Sequence, residues 1–67
     1  MYIGQIAQRA GVSVKTVRYY ESLGLLPTVR RRGNYRVFTE QDIRAIDFIK
    51  RAQSLGFSLS ELKPALH

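Results

Sequence analysis

Side chains that can bind phosphate or base edges recur at helical spacing near the start of the chain. At positions i, i+3, i+4 and i+7 stand Lys15, Arg18, Tyr19 and Ser22. This spacing places them on one face of a helix. Lysine and arginine pair with phosphates or guanine edges, and a phenol can donate to phosphate. Thr16 lies near the predicted helix start, where side chains reach base edges. The alternative is an ordinary solvated helix face.

A second basic group is the run Arg30, Arg31 and Arg32. Adjacent arginines repel one another, so a purely structural role explains them poorly. Tyr35 and Arg36 follow on the return arm of the same predicted hairpin and are placed to contact phosphates, although Tyr35 is equally suited to a partly buried position. We expect this hairpin to lie on a phosphate backbone beside a groove. A charged guard on an edge strand is the alternative.

The net charge indicates the class of partner. The 67 residues contain 11 Lys and Arg against 5 Asp and Glu, which gives a formal charge of +6 and a pI of about 10.3. All but one of the cations precede residue 52, so the charge belongs to the folded body. A small surface with so strong a positive field favours a polyanion, and double-stranded DNA is the partner that we expect.

The composition argues against an enzyme and against a metal or cofactor. Cysteine is absent and His67 is the only histidine, which excludes disulfides and thiol chemistry and leaves too few ligands for zinc. The carboxylates are dispersed, and Glu21 is placed to pair with Arg18 at i, i+3. No apolar stretch reaches the roughly 18 residues of a membrane span, and the lack of cysteine suits a reducing cytoplasm.

Two short helices joined by a tight turn must position the first basic group. The spacing predicts a helix over 4–10, a stop at Gly11 and a second helix from Val14 to Leu23 that Ser13 caps. Val14 and Tyr20 lie with Val17 on the face opposite the basic group. Together, at about residues 3–24, these elements form a helix-turn-helix, in which the first helix supports the second.

The rest of the chain predicts a hairpin and two more helices. The hairpin occupies about residues 28–38 and turns at Gly33-Asn34. A second helix pair covers about 39–66, with Thr39 as one cap and Ser58 opening an S-x-x-E capping box as the other. The free amides beside Ser58 could bind phosphate, or the box could satisfy itself. Pro64 should kink or fray the last helix.

These elements give a mostly α fold, a single winged helix-turn-helix domain over residues 1–67 with four helices and a small hairpin wing. The apolar stripe of the third helix includes Ile43, Ile46, Ile49 and Ala52. Phe48, one step off that stripe, and Phe57 are expected in the core or at a junction. No four-stranded sheet is available to stack bases, which argues against single-stranded or RNA binding.

The chain resembles the DNA-binding domain of the MerR family of bacterial transcription regulators. The similarity lies in residues 3–7, 11–13, 16–21, 24–27, 34–38 and 55–59, and its specific part is R-Y-Y-E followed by G-L-L-P, Y-R and L-G-F-S. The resemblance implies that Arg18, Tyr19 and Tyr20 meet the backbone and groove, and that Tyr35 and Arg36 contact phosphates. It also implies dimers on palindromic promoters, whose spacer is bent and untwisted so that RNA polymerase engages.

Some features depart from the family pattern. Gly-Asn precedes Tyr35 where glycine alone is usual, and the wing loop is one residue shorter. Pro64 stands where the family helix continues, and the chain ends where family members go on to a dimerising helix and an effector region. We therefore expect an isolated DNA-binding domain or a truncated product, of the bacterial cytoplasm and nucleoid, without an inducer site. A homodimer is expected only if a longer parent supplies that helix.

Two other functions remain open at this stage. Small winged helices also serve as excisionase-like architectural proteins, which bend DNA without an effector domain. A winged helix can also act as an adaptor that grips an acidic protein partner. DNA bending at a recombination site, or protein binding without DNA binding, would separate these functions from transcriptional regulation.

Overall fold

The computed structural model describes residues 1–27 and 29–66, with side chains as far as residue 63, and the described chain is mostly helical. Its elements in chain order are α1 (Ile3–Ala10), α2 (Val14–Ser22), β1 (Arg30–Arg32), β2 (Tyr35–Val37), α3 (Glu40–Ser54) and α4 (Leu59–Leu66). The predicted winged helix-turn-helix is confirmed. Thr28, the predicted start of the wing, and His67 lie outside the described residues.

The turn between α1 and α2 follows from two local signals. Gly11 adopts a left-handed conformation with φ of 71°, which a residue without Cβ reaches at little cost. Ser13 then begins α2, because its Oγ accepts a hydrogen bond from the backbone N–H of Thr16 at 3.0 Å. The two helices are therefore separated by only three residues and pack against each other.

Polar contacts attach α3 to α1. The Lys50 ammonium donates to the backbone carbonyl of Ala10 at 2.9 Å, which satisfies an acceptor at the carboxyl end of α1. Arg9 Nη2 donates to Glu40 Oε2 at 3.0 Å, near the start of α3. Both packing and charged contacts therefore attach α3 to α1 of the helix-turn-helix.

The core takes residues from every helix and from the connecting segments. Its fully or nearly fully buried apolar side chains include Ile6, Val17, Leu25, Phe38, Ile46 and Ile49. The helical members belong to the stripes that the spacing predicts. Leu25 and Leu26, in the irregular segment after α2, are also buried. The segment that leads to the wing therefore belongs to the core.

The wing is a short antiparallel hairpin without a core of its own. The register pairs Arg30 with Val37, Arg31 with Arg36 and Arg32 with Tyr35. None of the residues in either strand is buried. Gly33 turns the chain with φ of 64°, as the predicted Gly33-Asn34 turn requires.

The starts of α3 and α4 are capped by their own side chains. Asp42 Oδ2 accepts from the backbone N–H of Thr39 at 2.9 Å, and Thr39 Oγ1 accepts from that of Gln41 at 3.2 Å. Asp42 is fully buried in this arrangement. Helix α4 continues past Pro64 to Leu66, so the proline does not end the helix. Among the described helices, none combines the length and apolar character that crossing a membrane requires.

Two aromatic residues lie at a junction between helices and not in the core. Phe48 and Phe57 were predicted in one or the other, and they are 44% and 50% exposed. They line an apolar groove between α3 and α4 together with Leu55 and Leu62. The reason is angular: Phe48 lies one position off the buried stripe of α3, so its ring projects over the edge of that stripe.

Candidate nucleic-acid interface

The outer face of α2 is basic because its inner face is committed to the core. Val17 is fully buried, and residues one and two positions away on the helix must therefore point outward. Lys15, Arg18 and Tyr19 are all exposed. The part of the chain that the structure describes offers no ion-pair partner to Lys15 or Arg18. Both cations are therefore available to an external anion.

The hydroxyl groups on this helix are engaged locally. Thr16 Oγ1 lies 2.8 Å from Ser13 Oγ at the start of α2, and Thr16 is half-buried. Ser22 Oγ donates to the backbone carbonyl of Tyr19 at 2.6 Å. The charged and phenolic groups of the predicted set are thus freer to meet a ligand than its hydroxyls are.

Tyr20 is not brought to the outer face. It is 6% exposed, and its hydroxyl donates to Gln53 Oε1 on α3 at 3.1 Å. Burial raises the pKa of the Tyr20 phenol above its ordinary value. Its helical spacing correctly predicts the inner face, whereas the DNA contact that the resemblance implies for Tyr20 has no support in this geometry.

The hairpin register divides the wing arginines between two faces. Because side chains alternate along a strand, Arg30 and Arg32 share one face with Tyr35, while Arg31 and Arg36 share the other. All five of these residues are exposed. Arg31 and Arg36 are directly opposite each other, an arrangement of like charges that destabilises a hairpin.

Glu21 on α2 relieves this repulsion. Its carboxylate forms an ion pair with Arg36 Nε and lines a cleft with Arg31, Leu26 and Val29. The predicted Glu21–Arg18 pair is therefore wrong: within the described residues, Glu21 pairs with the wing. The signal was absent from local spacing, because the contact joins residues 15 positions apart in the chain.

The outer face of α2 and the wing meet in one groove. Arg18 from α2 lines it together with Asn34, Tyr35 and Arg36 from the wing, and Tyr2 and Ile3 close it at the start of α1. Arg18 of the first basic group therefore adjoins Tyr35 and Arg36 of the wing, whereas the run Arg30–Arg32 does not line this groove. Tyr2 was missed because an aromatic residue ahead of an amphipathic helix carries no distinctive sequence signal.

The start of α4 carries its own carboxylate. Glu61 Oε1 accepts from the backbone N–H of Ser58 at 3.2 Å and from Ser58 Oγ at 2.8 Å, and these donors lower the pKa of Glu61. A carboxylate here repels phosphate, which favours the self-satisfied box over the predicted phosphate contact of Ser58. Nearby, Ser60 and Lys63 line a groove with Tyr19; Lys63 was not predicted.

Comparison with known proteins identifies relatives along the whole chain. The sequence pattern described as "MerR HTH family regulatory protein" matches residues 1–67. The chain is 45% identical over 65 residues to the mercuric resistance operon regulatory protein of Bacillus cereus, covering 96% of this chain and 49% of that protein. It is 43% identical over 67 residues to the HTH-type transcriptional regulator HmrR of Sinorhizobium medicae, with coverages of 98% and 46%.

A solved structure shares the fold closely. It is HiNmlR, described as a MerR family regulator lacking the sensor domain and bound to promoter DNA, with a TM-score of 0.86 and 30% sequence identity. The match covers 97% of this chain and 52% of that one. The chain thus spans about half the length of the relatives that it matches. Neither the excisionase-like nor the adaptor alternative gains support from these relatives.

Proposed function

The chain belongs to the MerR family of helix-turn-helix regulatory proteins, and we propose that it binds specific double-stranded DNA and regulates transcription from it. In this proposal α2 enters the major groove and the wing lies on the adjoining phosphate backbone. The observation that carries it is the common groove in which Arg18 of α2 adjoins Tyr35 and Arg36 of the wing.

The dimensions of α2 suit a major groove. An α-helix with its side chains is about 10–12 Å across, which fits the B-DNA major groove of about 12 Å, and the 9 residues of α2 extend about 13 Å. Lys15 and Thr16 lie in the first turn, the part of a recognition helix that meets base edges. Arg18 and Tyr19 lie one turn further along. Base recognition is thus assigned to the start of the helix and phosphate contact to its later turns.

The wing would supply affinity that does not depend on sequence. Arg30, Arg31 and Arg32 are exposed on β1, and the Arg36 side chain stays 42% exposed in its ion pair with Glu21. Arginines that meet phosphates release counterions, which makes binding strongly dependent on salt. We expect a single copy to bind specific DNA weakly, because two half-sites supply the affinity of such proteins.

The finer parts of the proposal concern a longer protein. The matched relatives are about twice the length of this chain, so a homodimer on a palindromic promoter is proposed for a protein of the relatives' full length. RNA polymerase would be affected indirectly, through distortion of the promoter. The regulators of known structure include one without a sensor domain. A bacterial, nucleoid-associated location follows from the proposed promoter-binding role.

A salt titration of DNA binding tests the proposal. The chain is titrated against a fluorescently labelled duplex selected from a random-sequence pool, and binding is followed by anisotropy. Arg18→Ala should weaken binding and reduce the slope of log K against log salt by about one unit. Arg36→Ala should reduce the slope by less than Arg18→Ala, because Glu21 already neutralises part of its charge.

Arg51→Ala is the matched control. Arg51 is exposed on α3 and lines the apolar groove with Phe48, Leu55 and Phe57, so its loss should leave the slope unchanged. Equal slopes for wild type, Arg18→Ala and Arg36→Ala would remove both residues from the DNA interface. A wild-type chain that fails to bind any duplex at low salt would overturn the proposed function.

A further inference from the structure

Tyr2 is an exposed aromatic residue beside the basic face. It is 51% exposed, and its hydroxyl makes no hydrogen bond with any residue that the structure describes. It lines the same groove as Arg18, Tyr35 and Arg36. Exposed aromatic rings grouped with arginines are typical of binding surfaces rather than of inert ones.

The backbone beside Tyr2 is fixed to the wing. The Phe38 N–H donates to the Met1 carbonyl at 2.7 Å, and the Met1 nitrogen donates to the Phe38 carbonyl at 2.6 Å. This reciprocal pair has the pattern of one hydrogen-bonded antiparallel residue pair, and it joins the segment before α1 to the residue that follows β2. Gln5 Oε1 also accepts from the Tyr2 N–H at 3.3 Å. The backbone from which the Tyr2 side chain projects is therefore fixed by hydrogen bonds.

The Tyr2 ring is held as well. Its centroid lies 5.5 Å from that of Tyr35, with the ring planes tilted by 50°. Aromatic pairs at this separation attract each other. Tyr35 is 66% exposed, and its hydroxyl, like that of Tyr2, makes no hydrogen bond within residues 1–27 and 29–66. Two phenols thus stand together at the rim of a groove that contains guanidinium groups.

We propose that Tyr2, with Arg18 and Tyr35, forms a binding site for one DNA backbone phosphate at the junction of the recognition helix and the wing. Phenolic O–H and guanidinium N–H groups are both donors to phosphodiester oxygens. A phosphate here would bridge elements that otherwise contact the DNA separately. The inference rests on the proposed function and adds to it a contact from the segment that precedes α1.

The competing explanation is that Tyr2 only supports Tyr35 by stacking. Tyr2→Phe and Tyr2→Ala separate the two, because the first keeps the ring and loses only the hydroxyl. A phenol is uncharged, so its contact with phosphate releases no counterion and leaves the salt slope unchanged. Loss of a phenol that donates a hydrogen bond to phosphate should therefore weaken binding without changing the salt slope, whereas loss of Arg18 should change both.

The experiment measures binding of the chain to the selected duplex over a range of salt concentrations. Tyr2→Phe should weaken binding about ten- to a hundredfold at every salt concentration, the size expected for one hydrogen bond to a charged group. Its slope should equal that of wild type. Phe48→Ala, which removes a comparably exposed ring from α3, should bind as wild type does. Circular dichroism and thermal unfolding confirm that each variant is folded.

Neutral methylphosphonate linkages introduced one at a time locate the phosphate. At one position wild type and Tyr2→Phe should bind equally, because the charged acceptor is gone. If Tyr2→Phe binds with wild-type affinity and Tyr2→Ala binds more weakly, the inference is overturned in favour of stacking. The proposed function is left intact by that result. Absence of duplex binding by the wild-type chain would instead defeat the proposed function itself.

Discussion

The helix-turn-helix and the wing are held by different forces, although they line one groove. α2 is positioned by packing, since Val17 and Tyr20 are buried against α1 and α3. The wing has no buried residue in either strand. It is attached to the rest of the domain by the Met1–Phe38 backbone pair after β2, the Glu21–Arg36 ion pair and the Tyr2–Tyr35 contact beside the turn.

This difference separates two roles in one interface. Burial fixes a side chain through many weak contacts, so the orientation of α2 changes only if the core is lost. A few polar contacts fix the wing, and each can be removed without unfolding the domain. The recognition helix is thus rigid by construction, while the contribution of the wing can be adjusted by single substitutions.

The largest expected effect is a loss of stability on substitution in the core that positions α2. Ile6 of α1 is fully buried in the hydrophobic core, which also contains residues of α2 and α3. Ile6→Ala leaves a cavity there. Substitutions of this kind lower the free energy of unfolding by about 2–5 kcal/mol. In a domain of 67 residues this is a large part of the total stability. Chemical denaturation followed by circular dichroism measures the loss, and an effect below about 1 kcal/mol would contradict the assigned role of the core.

A smaller effect should follow from loosening the wing. Glu21→Gln keeps the shape of the side chain and removes the charge that faces Arg36 and Arg31. A partly exposed ion pair contributes about 1 kcal/mol or less to global stability. Hydrogen exchange at the β1 and β2 amides should accelerate while the amides of α2 keep their protection. A global loss as large as that of Ile6→Ala would mean that the wing and the core form one cooperative unit.

The smallest effect concerns the Ser58–Glu61 contact at the start of α4, which belongs neither to the helix-turn-helix nor to the wing. The Ser58 donors lower the pKa of Glu61 in the folded chain, so their stabilising effect is present above the ordinary glutamate pKa. It is lost as the pH falls through the lowered folded value. Glu61→Gln should therefore reduce the thermal midpoint slightly at neutral pH, and the difference from wild type should shrink as the pH falls below the ordinary glutamate pKa and vanish below the lowered pKa of the folded chain. An equal difference at both pH values would contradict the assignment.

The helices were predictable because their signals are local. Ser13, Gly11 and Thr39 mark helix boundaries by side-chain and backbone chemistry within a few residues, and the stripe that contains Val17 fixes which side of α2 faces outward. The outward position of Arg18 and Tyr19 follows directly from that stripe. Gly33-Asn34 likewise predicts the hairpin turn without any knowledge of the tertiary structure.

The contacts between elements were not predictable in this way. The Glu21–Arg36 pair, the Lys50–Ala10 hydrogen bond and the grouping of Tyr2 with Tyr35 all join distant parts of the chain. They depend on the angle at which the wing leaves the core, which no local pattern specifies. Tyr20 illustrates the same limit, because the family resemblance alone could not show that its hydroxyl is directed at α3.

The distribution of tyrosines gives the chain an intrinsic optical probe. Tryptophan is absent and there are 4 tyrosines, of which Tyr2, Tyr19 and Tyr35 are exposed along the groove and its neighbouring helix face. Emission excited near the phenol absorption band therefore arises largely from the surface proposed to meet nucleobases and phosphates. Quenching of that emission on titration would follow complex formation without a dye, and the shielded fourth ring would supply the residual signal.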